Sequence, residues 1–277
     1  MVKMDRFEGD LSSLWKLQNL PPIHHLTWDW WWWLVMLDDG DERSAGKQLM
    51  VLWSTKDNPL VEGNGHPWTP VGRPGFDEDG AIAMDGMIAA WWYDGENMIE
   101  PLILEESRII VLAEGHPEWP HDKGGIVASH TEKEFSMGLK PDEGKFWLRL
   151  DTEYGDFDLE MRPWNRAMSS LKVAQAEYGM GMGYGISRLH GSLCSGTIDG
   201  EEVNGTAYFQ KVCVQAPSPP WVWGMLHLDD GSYIDWFLPH LSPTITARDS
   251  QPWKRRDIAH LPLSMGGLFH DASRNRS

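Results

Sequence analysis

The chain alternates short apolar runs with turn signals and leaves few windows in which a helix could form. Glycine and proline interrupt most stretches of about 12 residues, the length that a stable helix needs. Aspartate-glycine pairs follow many of the apolar runs, and such pairs favour the positive backbone angles of tight hairpin turns. These pairs are Asp39-Gly40, Asp79-Gly80, Asp85-Gly86, Asp94-Gly95, Asp199-Gly200 and Asp230-Gly231.

The spacing of these signals predicts two sets of strands, joined mainly as meanders. The first set is Trp28–Leu37, Lys47–Ser54, Ile82–Tyr93, Met98–Leu104, Arg108–Ala113, Ile126–His130, Lys145–Asp151 and Phe157–Arg162. The second set is Gly185–Ile198, Val203–Gln215, Trp221–Leu228 and Ser232–Leu238. The best helical candidate is Met168–Tyr178, which follows Pro163. The pattern as a whole is typical of an all-β chain built as barrels or sandwiches.

The glycine-rich segment Tyr178–Gly185 separates the two sets of strands. We interpret it as a flexible connection between two β units. The stretch Asp57–Asp79 contains four prolines and is predicted to form a long loop. Loops of this length in compact domains often act as lids or binding loops.

The run Trp28–Leu37 lacks the alternation of a half-buried strand. Trp30 and Trp32 share one face, whereas Trp31 and Trp33 share the other with Asp29. A strand that is apolar on both faces belongs inside two layers, or between a core and a ligand cavity. The chain has 17 tryptophans in 277 residues, and their flat rings suit a polyene-like ligand and can stabilise a carbocation. We expect most of them to pack in a core and the rest to line a cavity.

The segment Trp221–Leu238 is predicted to form a hairpin around a two-residue turn at Asp230-Gly231. Pairing outward from that turn puts Asp235 opposite Leu226, on the same face as Tyr233. The remaining side chains of the two strands, Trp223, Met225, His227, Ile234, Trp236 and Leu238, then share the opposite face.

Asp235 is the anomaly of its predicted face, which is otherwise apolar and aromatic. A carboxyl group in such surroundings resists ionisation, and a neutral carboxylic acid can protonate an alkene or a leaving group. The alternative is that Asp235 lies at a strand edge and meets water or a backbone amide. The candidate catalytic residues are Asp235, Tyr233 to orient it, and Asp29 as the second choice of acid. The candidate substrate-binding residues are Trp30, Trp31, Trp32, Trp33, Trp221, Trp223, Trp236, Phe237 and His227.

Charge and cysteine content narrow the range of partners. The chain has 41 acidic and 24 basic side chains, for a net charge of −17, and should repel nucleic acid and anionic lipid head groups. No apolar run reaches about 18 residues, so no membrane span is predicted, while transient membrane contact and the oligomeric state stay open.

Cys194 and Cys213 form no CxxC motif and no HExxH motif occurs, so neither a metal nor a cofactor is predicted. The N-terminus lacks the features of a signal peptide, which predicts a cytoplasmic protein with free thiols.

Three stretches together resemble the carotenoid 1,2-hydratase/AttH-like family, a lipocalin-like (calycin) group of double β-barrels. They are Asp29-Trp30-Trp31-Trp32 with the strand after it, Phe157–Pro163, and Leu193–Tyr208 followed by the Trp221–Leu238 hairpin. The family's Asp-His-Glu-Trp box falls on Gln210–Cys213, where none of its residues is kept. The later Tyr-x-Asp of the hydratases matches Tyr233-Ile234-Asp235. The resemblance implies two consecutive lipocalin-like barrels packed together, formed by residues 1–177 and 178–277.

These observations lead to one predicted function and two alternatives. The prediction is an enzyme that binds an apolar isoprenoid-like or polyene substrate in an aromatic-lined barrel cavity. It would catalyse acid-assisted hydration or cyclisation of a C=C bond without a cofactor. The broad lipocalin-like group also includes cyclases and cycloaddition catalysts, so one alternative is a pericyclase that relies on pocket shape. The other alternative is a non-catalytic carrier of lipid or pigment.

Overall fold

The computed structural model describes residues 23, 26–38, 46–56, 61–63, 66–69, 75–76, 82–112, 125–129, 133–164, 171–216, 221–239 and 266–274. The strands are β1 Thr27–Asp38, β2 Lys47–Lys56, β3 Val61–Gly63, β4 His66–Trp68, β5 Gly75–Phe76, β6 Ile82–Tyr93, β7 Met98–Leu112, β8 Gly125–Ser129, β9 Phe135–Lys140, β10 Lys145–Thr152, β11 Gly155–Pro163, β12 Leu171–Gly179, β13 Met182–Ile198, β14 Glu201–Gln215, β15 Trp221–His227, β16 Tyr233–Pro239 and β17 Gly266–His270. A single 3₁₀ turn, Pro141–Glu143, is the only helical element in these ranges.

Ten of the described strands close an antiparallel barrel. Their order is β11-β10-β9-β8-β7-β6-β2-β1-β14-β13, and β13 pairs back onto β11 to complete the ring. The short strand β5 adds to β6, and β12 pairs with the first half of β13, beyond the part that meets β11. This arrangement confirms the predicted all-β, lipocalin-like class.

Apolar side chains fill the barrel interior. Along β1 the burial alternates strictly, so that Trp31, Trp33 and Val35 point inward and the residues between them are only partly buried. Trp53 and Phe209 on the neighbouring strands join them in one continuous core cluster. The strand is apolar on both faces, as predicted, but only the odd-numbered face belongs to the core.

The chain divides into two compact units. The first is Met1–Val61 with Thr69–Ala216, and the second is Glu62–Trp68 with Pro217–Ser277. The predicted boundary between residues 177 and 178 falls inside β12. The predicted strands Gly185–Ile198 and Val203–Gln215 complete the first barrel, because β14 pairs along the whole of β1. In the second unit the described strands form the three-stranded sheet β15-β16-β17 and the two-stranded sheet β3-β4, whose first residue, Val61, ends a segment of the first unit.

Two local predictions around β12 are wrong. Residues 171–178 of the predicted helix form strand β12, because they find a pairing edge on β13 that outweighs a weak helical pattern. The first three residues of that helix, 168–170, lie outside the described residues. The glycine-rich segment comprises the last residues of β12, the turn and the first residues of β13, and it lies within the first unit instead of connecting two units.

The structure confirms the turn predicted at Asp199-Gly200 and places Asp85-Gly86 inside a strand. Asp199 and Gly200 have φ angles of 51° and 80° and form the predicted tight turn between β13 and β14. Asp85-Gly86 lies inside β6 instead. A Cβ at Gly86 would collide with the Ile109 side chain, so this glycine permits close packing and does not make a turn. Within the predicted long loop Asp57–Asp79, the structure describes the short strands β3, β4 and β5.

Candidate active site

The hairpin of β15 and β16 has a three-residue loop in place of the predicted two-residue turn. Leu228 N–H donates to the Ser232 carbonyl oxygen at 2.8 Å, and Gly231 N–H donates to the Leu228 carbonyl oxygen at 2.9 Å. Gly231 has a φ angle of +81°, which this type of loop requires and glycine adopts readily. Met225 therefore lies opposite Asp235. The predicted register is wrong by one residue, because the loop encloses one residue more.

The shift changes which side chains share a face with Asp235. Tyr233 and Phe237 keep their places, since alternate residues of one strand point the same way. The side chains of Trp223 and Met225 join them from β15, whereas Leu226 moves to the other face. The observed set, which we call the Asp235 face, comprises Trp221, Trp223, Met225, His227, Tyr233, Asp235, Phe237, Pro239, Gly266, Leu268 and His270.

The carboxyl group of Asp235 is buried on this face. The residue is 4% exposed, and its Oδ1 accepts a hydrogen bond from the indole Nε1 of Trp223 at 2.9 Å. The neighbouring Tyr233 is also buried, and its ring stacks on His270 with 4.9 Å between centroids and 17° between planes. The arrangement presents one oriented carboxyl group among aromatic rings. The predicted partners Tyr233 and Phe237 lie beside it, and the predicted burial of Asp235 is confirmed.

The opposite face of the same sheet is more open. Trp236 lies there, as predicted, and its ring covers Gly224, where a Cβ would collide with it. Leu226 is 49% exposed on that face. Of the predicted substrate-binding residues on this hairpin, Trp236 is therefore separated from Asp235 by the sheet. Trp221, Trp223, His227 and Phe237 share the face of the acid.

The predicted aromatic wall in the first half of the chain splits between two sides of the barrel. Trp31 and Trp33 are fully buried in the core, and the Trp33 ring contacts Phe209 with 4.8 Å between centroids. Trp30 and Trp32 lie on the outer side and are half-buried. The indole Nε1 of Trp32 donates to Oε1 of Gln210 at 2.5 Å.

Asp29 lies inside the barrel and forms an ion pair with Lys211. The distance from Nζ of Lys211 to Oδ1 of Asp29 is 2.7 Å, and both side chains are buried. Nζ also donates to the Val212 carbonyl oxygen at 3.1 Å and lies 3.8 Å from the centroid of the Trp31 ring. Burial alone would lower the pKa of Lys211, but the Asp29 carboxylate and the adjacent Cys213 raise it above its usual value. The carboxyl group of Asp29 is therefore engaged by a cationic partner inside the barrel.

The neighbours of this pair form a polar end to the barrel interior. Cys213 lies directly opposite Asp29, and burial raises the pKa of its thiol to about 12, with Lys211 acting in the opposite direction. Thr27 Oγ1 donates to Gln215 Oε1 at 2.7 Å, and the Gln215 amide nitrogen donates onward to a backbone carbonyl. These contacts tie β1 to β14, so we assign the polar end a structural role.

Sequence analysis missed two residues of these sites. Lys211 stands alone among apolar and uncharged residues in Ala207–Val214, and an isolated lysine in such a strand signals a buried ion pair. Its partner Asp29 is 182 residues away, so the pair itself carried no local signal. His270 lies on the five-residue strand β17, whose sequence Gly266–His270 begins with two glycines and shows no alternation, so it does not predict a strand.

The described residues contain no group of three or more His, Cys, Asp and Glu side chains arranged to hold a metal ion. They also contain no helix that is long and apolar enough to cross a membrane.

Comparisons with known proteins give distant structural likenesses. No family model matches the chain, and no curated protein matches it. Among solved structures, a proposed AttH from Nitrosomonas europaea is 14% identical with a TM-score of 0.48, over 93% of this chain and 71% of that one. The structure of CghA with Sch210972 is 12% identical with a TM-score of 0.41, over 85% of this chain and 61% of CghA. The chemistry of the chain must therefore be argued from its own residues.

Proposed function

We propose that the chain is an enzyme that binds an apolar isoprenoid-like or polyene substrate against the Asp235 face. The proposed reaction is acid-assisted hydration or cyclisation of a C=C bond. The observation that carries the proposal is the burial of one carboxyl group among aromatic rings, with one of its oxygens held by Trp223. Apolar rings supply the contact area for a hydrocarbon, and the acid supplies the reactive proton.

The proposed mechanism starts from the protonated carboxyl group of Asp235. Its Oδ1 accepts the Trp223 hydrogen bond, and in the proposed step the carboxyl group transfers its proton to one carbon of the double bond. The other carbon becomes a cation, and Asp235 becomes a carboxylate. Water then captures the cation and loses a proton, or a second double bond of the substrate captures it and the new cation loses a proton from an adjacent carbon. The proton released in that last step returns to Asp235, which regenerates the acid.

The aromatic side chains of the face would stabilise the cation. The faces of indole and phenol rings attract positive charge, with tryptophan the strongest of them. Trp221 and Trp223 supply indoles, and the Trp221 ring lies 6.0 Å from that of Phe237. Tyr233, whose ring is fixed by His270, would help to orient the acid. Asp29 is the weaker candidate, because its carboxyl group is already paired with Lys211 inside the barrel.

The proposal is tested by following solvent deuterium into products. Native protein in D₂O is incubated with acyclic isoprenoids, squalene and geranylgeraniol, and the products are analysed by mass spectrometry. Protonation by a carboxyl group that exchanges with solvent places one deuterium on carbon. We expect this product from native protein and its loss by a factor of about 100 or more in Asp235→Asn, the usual contribution of a general acid. The Asp235→Asn variant should still bind the isoprenoids, as measured by the quenching of tryptophan fluorescence.

Asp229→Asn is the matched control, since Asp229 is an exposed acid in the loop of the same hairpin. It should keep full turnover. A cyclised product without deuterium on carbon would replace acid catalysis with a pericyclic reaction. If native protein binds the isoprenoids and converts none of them, the enzyme proposal is overturned and the chain is a carrier.

A further inference from the structure

The turn of the β12–β13 hairpin exposes an apolar side chain on a strained backbone. Met180 is 87% exposed and has a φ angle of +53°. Positive φ angles are uncommon outside glycine, asparagine and aspartate, and a side chain in water gains nothing from packing. Residues kept in such conformations cluster at functional sites. Met180 therefore calls for a reason other than the stability of the fold.

The residues around Met180 form an uncharged end of the hairpin, Tyr178–Tyr184, which we call the Met180 tip. Tyr178 is 59% exposed, and its ring lies 6.0 Å from the ring of Tyr184. The stretch without a charged side chain continues to Ser187, in a chain that has 41 acidic and 24 basic residues. The tip thus combines exposed apolar and aromatic groups with an absence of charge.

The Met180 tip is tied to one end of the barrel. Gly179, Met180 and Gly181 have φ angles of 85°, 53° and 75° and shape the turn. The Gly181 carbonyl oxygen accepts a hydrogen bond from the Gln215 amide nitrogen at 2.8 Å, and Gln215 is itself bonded to Thr27 at the start of β1. A turn that is already ordered loses less conformational entropy when it binds. The tip is therefore preorganised to present its exposed side chains to a partner.

The small size of the Met180 tip favours a lipid surface over a protein partner. A stable protein interface takes about 20–30 residues a side, whereas the tip offers only the side chains of Tyr178, Met180, Met182 and Tyr184 between its glycines. A few such side chains suffice at a membrane surface. Tyrosine is enriched there, because its ring enters the apolar layer while its hydroxyl group stays among the head groups.

The charge of the chain selects the kind of lipid. A net charge of −17 repels anionic head groups, and the exposed Glu177 adjoins the tip. Zwitterionic head groups such as phosphatidylcholine carry no net charge and impose no such repulsion. An uncharged tip also enters the apolar layer without the cost of taking a charged group out of water.

We propose that the Met180 tip docks the protein reversibly on zwitterionic lipid surfaces. Met180 enters the outer part of the acyl layer, and Tyr178 and Tyr184 lie at the level of the head groups. A bilayer also dissolves apolar substrates of the class proposed for the Asp235 face. The docking uses none of the residues of that face, so it does not depend on the function proposed there.

The test measures flotation of the protein with phosphatidylcholine vesicles. Native protein should bind them, and replacing part of the phosphatidylcholine by phosphatidylserine should weaken binding. Met180→Asn should weaken binding about 10-fold or more, the effect of withdrawing one buried methionine side chain. Asparagine adopts a positive φ angle more readily than methionine, so this variant should be no less stable than native protein. Met180→Leu should retain binding.

Met98→Asn is the matched control, because Met98 is 55% exposed and lies on β7, outside the tip. It should leave vesicle binding unchanged. Equal losses in the two asparagine variants, or no binding of native protein to phosphatidylcholine, would overturn the proposal. Self-association of native protein without vesicles, if Met180→Asn abolishes it, would also overturn the proposal, because the tip would then contact a second copy.

A fluorescent label reports the surroundings of the tip directly. The thiols of Cys194 and Cys213 react slowly near neutral pH, because burial raises the pKa of each to about 12. A thiol-reactive nitrobenzoxadiazole label on Met180→Cys is therefore selective. Its emission should rise and shift to the blue on phosphatidylcholine vesicles, whereas the same label on Met98→Cys should not respond.

An unchanged emission at position 180 would contradict insertion of the tip. The vesicle measurements need no substrate and no turnover, whereas the test of Asp235 follows proton transfer. The two proposals therefore fail separately.

Discussion

Two buried aspartates in this chain differ in the partner that the structure describes for each. Asp29 in the barrel faces the ammonium of Lys211, whereas Asp235 in the three-stranded sheet faces the indole N–H of Trp223. A buried ion pair holds both charges in place, since neither partner can lose its charge without leaving the other uncompensated. A neutral donor imposes no such condition. The comparison teaches that burial alone does not make an acid available for chemistry, because an ionic partner holds its charge in place.

The largest expected effect tests the ion pair. Asp29→Asn or Lys211→Met alone should lower the free energy of unfolding by about 3–5 kcal/mol, because each leaves one buried group without its partner. The double variant Asp29→Leu/Lys211→Met should recover most of this loss, because no buried charge remains. Urea denaturation of the native protein and the three variants measures these free energies of unfolding. A loss of less than about 1 kcal/mol in the single variants, as for an exposed ion pair, would contradict the role assigned to the buried pair.

Removing the donor to Asp235 should have a smaller effect. Trp223→Phe takes away the indole N–H and should cost about 1–3 kcal/mol of unfolding free energy. Trp236→Phe is the control, since its ring lies on the opposite face and does not reach the carboxyl group. In an Asp235→Leu background the two tryptophan variants should differ less, because no carboxyl group remains to be left without this donor. An unchanged difference would show that Trp223 acts by packing alone.

The register of the hairpin can be tested at Gly231. Gly231→Ala should cost about 1–2 kcal/mol, because alanine is strained at a positive φ angle. A Cβ there would come no closer than 3.8 Å to the nearest atom, in Ala272, so crowding adds nothing. Gly185→Ala is the control, because nothing lies within 4 Å of its Cβ position and its φ angle is not positive. Thermal denaturation of both variants distinguishes them, and equal losses would contradict the observed loop.

The smallest effect is expected from pH. The pKa of Lys211 is raised above its ordinary value of 10.5. A group with a raised folded-state pKa contributes stability that is fully present below its unfolded pKa and lost as pH rises through the folded one. The advantage of native protein over Lys211→Met should therefore stay constant to about pH 10.5 and fall only above it. Chemical denaturation of both proteins across that range measures it, and a decline beginning near neutrality would contradict the assignment.

Much of the barrel could be predicted from the sequence because its turns carry local signals. Asp199-Gly200 adopts the positive φ angles that such a pair favours, and the strands on either side follow from it. Asp85-Gly86 is the same dipeptide and lies within a strand, because Gly86 makes room for the Ile109 side chain of the next strand. A local pattern cannot distinguish a glycine that bends the chain from one that makes room for a neighbour.

The site was predicted in part for a related reason. The burial of Asp235 could be predicted, since alternation places it with Tyr233 and Phe237 whatever the register. The contact with Trp223 could not, because it depends on whether the loop has two residues or three. The pair of Asp29 and Lys211 depends on which strands become neighbours, and no local pattern encodes that.

The pairing of β1 with β14 has a consequence for how the barrel folds. Three of its side-chain contacts join residues separated by 178, 182 and 188 positions, in Trp32–Gln210, Asp29–Lys211 and Thr27–Gln215. The β11–β13 pairing, by contrast, joins segments close in sequence. Closing a long loop costs more chain entropy, and contacts of high sequence separation form slowly. We therefore expect β1 and β14 to pair late in folding. The polar contacts between them would then fix the register of this last pairing.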